Sequence, residues 1–384
     1  MYKLVAAVVL VSGSLISREL GAQVNTTGAV QSQTSVQYES KEHFARLNKQ
    51  AVAKYTFSGS TKQDVNVWRK KFLPELRSRL GLDIIATQTK GYVPRVEKTN
   101  SEDAGSFIRE HWIIWTEPTV PLPMTVLYPK GRTGTLPLVV TPHGHGRNSL
   151  LYKGIYPYTG EKEEGKTIEE TEGRSVAVQA VREGYIAIAP TTRAFGITRT
   201  EADKRDSNSF SCHTQLMQDL LVGRTPIGDR VWDMMRVIDW AIQNLPIDTT
   251  KIAITGNSGG GTVSLFAAAC DERITVAAPS SAFSTFEASI GSLPHCDCNY
   301  IPGLLQLGET GDVAGLIAPR PLCLIAGVQD EIFPISGARV SFAHLQNIYR
   351  AAGAPGKVAL YEGNGGHKYY PEGSWPFIRK YFKD

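Results

Sequence analysis

Cysteine is scarce in this chain: five in 384 residues close at most two bridges and leave one thiol over. A dominant charge is lacking too. Lys plus Arg number 41 against 37 Asp plus Glu, a net +4 with pI near 8.7. That is a mild bias toward anionic partners and does not imply nucleic acid. No internal repeat and no low-complexity segment occurs, and beyond the first residues no apolar stretch approaches the length needed to span a bilayer. With 42% hydrophobic and 20% charged residues, a disordered or fibrous chain is excluded and one large α/β domain with a small extension is expected.

The amino terminus supplies the one marked apolar run. Met1-Tyr2-Lys3 precedes apolar residues from Leu4 to about Ile16, and Leu20-Gly21-Ala22 offers a small-residue cleavage site. This predicts a secretory signal over 1–22 and a mature chain beginning near Gln23. The run is too short to span and is diluted by Ser12, Ser14 and Ser17, and no Cys stands where a lipoprotein would carry one. A secreted or periplasmic protein follows, with no membrane contact after cleavage. Residues 23–100 then read as a tail and helical extension packed on the core, and 101–384 as the catalytic domain. In an oxidising compartment one member of Cys296-Asp297-Cys298 is expected to reach Cys212 in another loop. Cys270 and Cys323 lie in apolar runs and read as inert core. No metal is expected: Cys-x-Cys with His295 nearby does not match paired zinc-ligand spacing.

Apolar residues at helical spacing from Glu42 to Leu80 predict two helices broken near Ser58-Gly59, with Gly81 as the capping glycine. Two β-rich runs between Phe107 and Tyr128 predict an antiparallel hairpin turning at Pro118 to Pro123. From Leu136 the pattern changes to short apolar strands (Pro137–Thr141, Tyr185–Ala189, Ile252–Thr255, Ile274–Ala278, Leu322–Ala326 and Val358–Tyr361) alternating with helices at 175–183, 229–244, 262–269 and 336–351. Near-continuous apolar strands mean burial on both faces, hence a mostly parallel sheet flanked by helices. The polar stretches 147–171, 197–230 and 283–315 read as insertions roofing a site.

Ser258 carries the chemistry. It stands in Gly256-Asn257-Ser258-Gly259-Gly260, after the strand Lys251–Thr255 and before an apolar helix, which is the strand–turn–helix form of a nucleophile elbow. Gly256 and Gly260 supply bare backbone in a tight turn, and the Gly259 N–H can donate to an oxyanion. A serine needs a base, and the base needs a carboxylate. His367, in a glycine loop after the last strand, fits better than His344, His43 or His111. Asp330, ending the run Leu322-Cys-Leu-Ile-Ala-Gly-Val-Gln-Asp330, is the expected acid; Asp312, Glu331 or a residue on the preceding loop remain alternatives. A second oxyanion N–H is expected from His145 or Gly146, in His143-Gly-His-Gly. Two histidines at alternate positions without carboxylates do not suggest a metal there. Arg193 and Arg224, on loops at the sheet's carboxyl edge, are candidates to hold a substrate carboxylate or sugar hydroxyls, or else pair with Asp219, Asp229 or Asp233. Trp232 reads as core rather than a sugar platform.

With these residues in place, the chain from about Glu39 onward resembles an α/β-hydrolase group containing acetyl xylan esterase-like enzymes and the pectin methylesterases of this fold. The phrases carrying the resemblance are Trp68-Arg-Lys-Lys-Phe72, Pro142-His-Gly-His-Gly146, Leu221-Val-Gly-Arg-Thr-Pro-Ile-Gly-Asp-Arg-Val-Trp-Asp233, Cys298-Asn-Tyr-Ile-Pro-Gly303 and Leu316-Ile-Ala-Pro-Arg-Pro-Leu322. The resemblance implies a carbohydrate esterase with Ser258, Asp330 and His367 as its triad, no cofactor, and a plant polysaccharide or oligosaccharide ester as partner. The methyl ester of a uronic acid leads over an acetyl ester, since the basic balance and the two arginines suit an anionic polymer. A serine peptidase of related fold and a catalytically inactive carbohydrate-binding protein are the other readings.

Overall fold

The computed structural model describes residues 39–145, 175–206 and 211–383. The expected signal over 1–22, most of the tail after it, the stretch 147–171 and Gly146 lie outside the described residues.

Among the described residues nine strands form one sheet: β1 (Val96–Asp103), β2 (Phe107–Glu117), β3 (Val120–Pro129), β4 (Leu136–Val140), β5 (Ile186–Pro190), β6 (Ile247–Asn257), β7 (Val276–Ser280), β8 (Leu322–Gly327) and β9 (Val358–Gly363). Their spatial order is β1-β2-β3-β5-β4-β6-β7-β8-β9. The first three strands pair antiparallel, and β3 meets β5 antiparallel. From β5 to β9 every pairing is parallel. The expected hairpin is β2–β3. The edge strand β1 was not expected, because its sequence VEKTNSED is polar and mostly exposed and carries no apolar alternation to announce it.

Alternation along each parallel strand divides the core in two. Leu138 and Val140 of β4, with Ile186 and Ile188 of β5, face one cluster. Val139, Ala187 and Ala189, one residue out of step, face the other, as the two-residue period of a strand requires. The first cluster is covered by the helices Lys62–Leu80, Pro226–Asn244, Gly259–Cys270 and Ile335–Ala351. The second is covered by Val176–Arg182 and by Pro371–Phe382, a closing helix that the sequence reading did not include. Among its described residues the amino-terminal extension holds the two expected helices, Lys41–Gln50 and Lys62–Leu80, and a third just beyond them, Leu82–Gln88. Gly81 separates the last two in the left-handed conformation, φ +80°. Trp68, Phe72, Leu76 and Leu80 belong to the same apolar cluster as the sheet, so the extension is built into the core. The insertions are not bare loops either, since a helix runs from Cys212 to Leu221 and another from Thr310 to Gly315.

Candidate active site

The turn between β6 and its helix carries Ser258 at φ +56°, ψ −121°, a conformation that costs a non-glycine residue about 1 to 3 kcal/mol. The surroundings hold it there. Ser258 N–H donates to Ser280 O at 2.9 Å, and Thr262 N–H donates to Ser258 O at 2.9 Å. A Cβ on Gly256 or on Gly260 would overlap the carbonyl oxygen of Pro142, so the segment just after β4 presses directly on the elbow and only glycine fits.

The segment after β4 therefore sits against the nucleophile. A Cβ added to Gly259 would stand 2.8 Å from the His145 ring and 3.7 Å from the His145 backbone nitrogen. This brings the main chain of His145 beside the first residue of the helix, whose leading N–H groups have no partner within the helix. The two expected oxyanion donors, Gly259 and His145, are thus neighbours. His143 turns the other way: its Nε2 accepts the Thr192 N–H at 2.9 Å, tying this segment to the end of β5.

His367 Nδ1 donates to Asp330 Oδ2 at 2.8 Å. Asp330 Oδ1 accepts the backbone N–H groups of Ile332 and Phe333 at 2.9 and 3.0 Å. Burial works to raise the Asp330 pKa, but the His367 bond and these N–H donors outweigh it and hold the carboxyl below its ordinary value. The ring of Phe333 stacks on His367 at 6.0 Å. The histidine loop is tied back to the elbow's strands: Ser281 Oγ donates to Lys368 O at 2.9 Å, and the hydroxyls of Thr255 and Tyr369 are 3.1 Å apart. Among the described residues no hydrogen bond joins Ser258 Oγ to His367, as is common before a substrate draws the groups together. The alternative acid Asp312 is engaged elsewhere, at 2.7 Å from His344 Nε2.

Arg193 and Arg224 are placed differently from the substrate-holding expectation. Arg193 Nε and Nη2 bind Asp233 at 2.7 Å each, while Nη1 meets Asp229 at 3.0 Å and Glu117 at 2.6 Å. Arg224 bonds Glu117 through both terminal nitrogens, at 2.9 and 2.7 Å, and Asp229 at 2.7 Å. Both guanidinium groups are committed to buried carboxylates, the ion-pair arrangement. Glu117, which bridges them from the end of β2, had no sequence signal to mark it. Trp232 is core, its Nε1 donating to Thr116 O at 3.1 Å. A cavity of about 630 Å³ lined by Pro121, Ile197, Arg199, Lys204 and Gln218 reaches Arg193 but neither Ser258 nor His367.

The cysteines depart from expectation as well. All five are free thiols, so no bridge joins Cys212 to Cys296 or Cys298. Cys270 and Cys323 are core, and burial pushes each thiol pKa up to about 12. The remaining three gather around a histidine, which is His145 and not His295. The donor atoms of His145, Cys212, Cys296 and Cys298 all lie within 4.8 Å of one another. His295 is occupied by Ser289 Oγ, at 2.9 Å. The expectation of no metal rested on local spacing alone, and the fold assembles a donor set that spacing could not reveal.

A structure from Bacteroides fragilis NCTC 9343, described as an acetyl xylan esterase, superposes with TM-score 0.75 over 91% of this chain and 96% of its own, at 16% identity. The fold is that of the α/β-hydrolases. A family described as X-Pro dipeptidyl-peptidase (S15 family) matches residues 119–293, a span that includes Ser258 and the sheet around it but neither Asp330 nor His367. This α/β-hydrolase chain is also similar to the Bacillus subtilis (strain 168) protein YtaP, described as a hydrolase, at 25% identity over 64% of this chain and 77% of that one. It is 28% identical to 4-O-methyl-glucuronoyl methylesterase 1 of Wolfiporia cocos (strain MD-104), over 37% of this chain and 41% of the relative.

Proposed function

We propose that this chain is a serine esterase that removes small ester groups from plant cell-wall polysaccharide outside the cytoplasm. The observation that carries this is the Asp330–His367 pair on the loops flanking the strained Ser258 elbow. His367 Nε2 takes the Ser258 proton as Oγ attacks the ester carbonyl. Asp330 fixes the ring with Nδ1–H toward it and stabilises the imidazolium. The tetrahedral oxyanion is met by the N–H groups of Gly259 and His145. His367 then protonates the leaving alcohol, and water, deprotonated by the same histidine, releases the acid from Ser258.

The methyl ester of a uronic acid is the leading substrate. Similarity to a glucuronoyl methylesterase supports it, whereas Arg193 and Arg224, being paired internally, no longer do. An acetyl ester is the second reading, favoured by the superposition on an acetyl xylan esterase.

Incubating the enzyme with methylated and acetylated pectins and xylans, with methanol and acetate assayed separately, tests both. Methanol without acetate is the expected result, and acetate without methanol overturns the methyl ester reading. Hydrolysis that survives Ser258→Ala removes the serine mechanism. Cleavage of an X-Pro anilide with no ester hydrolysed identifies a peptidase, and inactivity on every substrate identifies a binding protein.

A further inference from the structure

Four donor atoms from three distant parts of the chain converge beside the elbow. His145 comes from the segment after β4, Cys212 from the first turn of the helix Cys212–Leu221, and Cys296 and Cys298 from a short turn. His145 Nε2 lies 3.1 Å from Cys298 Sγ and 4.0 Å from Cys212 Sγ, and the sulfurs of Cys296 and Cys298 are 3.5 Å apart. Zinc bound tetrahedrally at about 2.3 Å from sulfur sets its ligand atoms about 3.7 Å apart. The observed separations bracket that edge length, so small side-chain adjustments would close the site.

A second observation is independent of these spacings. Arg230 is 1% exposed, and its Nη2 lies 3.3 Å from Cys212 Sγ. It also interacts with Cys298 and with the neutral oxygens Arg193 O at 3.2 Å and Gln215 Oε1 at 3.5 Å, and its Nε has no hydrogen-bond partner. Among the described residues no carboxylate forms a salt bridge with it, although Arg193 and Arg224 nearby share three carboxylates, one more charge than those two arginines carry. A buried guanidinium needs an opposing charge. A divalent cation held by three thiolates and a neutral imidazole carries one net negative charge, which suits the guanidinium packed against Cys212.

We propose that His145, Cys212, Cys296 and Cys298 form a structural Zn²⁺ site beside the catalytic elbow. The softness of three sulfurs and one imidazole in a tetrahedral arrangement selects zinc over harder divalent ions. With four protein ligands the site has no open position for substrate or water, so its role is structural. It fastens the His145 segment, which lies against Gly259, to the helix and turn opposite.

The test uses the full chain purified without chelator from zinc-supplemented medium, with metal content measured by mass spectrometry and thiols titrated after denaturation without reductant. About one zinc per chain is expected, with all five thiols titrating once the metal is removed. Absence of stoichiometric zinc overturns the proposal, whether the thiols are free or Cys212 is found in a disulfide. Cys212→Ser and Cys298→Ser should each lose the bound zinc while Cys270→Ser keeps it, and zinc retained by the first two overturns the assignment. Should those variants fail to fold, cobalt substitution of the unaltered chain decides. Intense visible bands of tetrahedral cobalt with thiolate charge transfer support the site, and a spectrum without thiolate charge transfer overturns it.

Discussion

His367 Nδ1 lies 2.8 Å from Asp330 Oδ2, and the other oxygen of that carboxylate is held by two backbone N–H groups. The imidazole is therefore oriented by a carboxylate that is itself immobilised. Replacing Asp330 by Asn offers Nδ1 an amide instead and permits the wrong tautomer. Asp330→Asn is expected to lower kcat by roughly four orders of magnitude with little change in KM. Steady-state kinetics on an aryl acetate, beside Ser258→Ala at background rate, checks this.

Arg193 and Arg224 pair with Glu117, Asp229 and Asp233. Removing either arginine strands buried carboxylates rather than opening a subsite. Arg193→Met is expected to cost about 3 to 5 kcal/mol in chemical denaturation. An unchanged denaturation midpoint with a raised KM for anionic polymer would instead restore Arg193 to substrate binding.

The contact of the segment just after β4 on the elbow makes a sharp contrast between glycines. A Cβ on Gly260 would overlap Pro142 O, whereas at Gly356 nothing stands within 4 Å. Gly260→Ala is expected to lose about 1 to 3 kcal/mol and to slow fluorophosphonate labelling of Ser258. Gly356→Ala should stay within about 0.5 kcal/mol of the parent.

His344 shows how pH enters stability. Its hydrogen bond to Asp312 outweighs burial and raises its pKa above the usual 6.5. The bond's contribution is therefore fully present below pH 6.5 and is lost as pH rises through the raised folded-state value. His344→Gln should be less stable than the parent by about 1 to 2 kcal/mol at pH 6, with the difference shrinking in alkaline buffer. Equal differences at pH 6 and pH 9 would contradict the pairing.

Local sequence was enough for the parallel strands of the sheet, for the turn at Ser258 and for the pairing of His367 with Asp330. Each parallel strand is a short apolar run, and burial on both faces imposes that composition wherever the strand lies. The elbow requires glycine at Gly256 and Gly260 because backbone approaches there, and His367 and Asp330 occupy loops directly after strands, so chain order alone pointed to them. The strand β1 escaped because its exposed edge needs no apolar pattern.

What only the tertiary structure decided concerns groups whose partners are distant in the chain. Arg193 was equally compatible with binding a substrate carboxylate and with a buried ion pair, until folding placed Glu117, Asp229 and Asp233 around it. Cys212, Cys296 and Cys298 acquired their histidine only when the loop after β4 carried His145 to them. Composition and periodicity are read from neighbours along the chain, whereas a charge's compensation and a metal's donors are settled by neighbours in space.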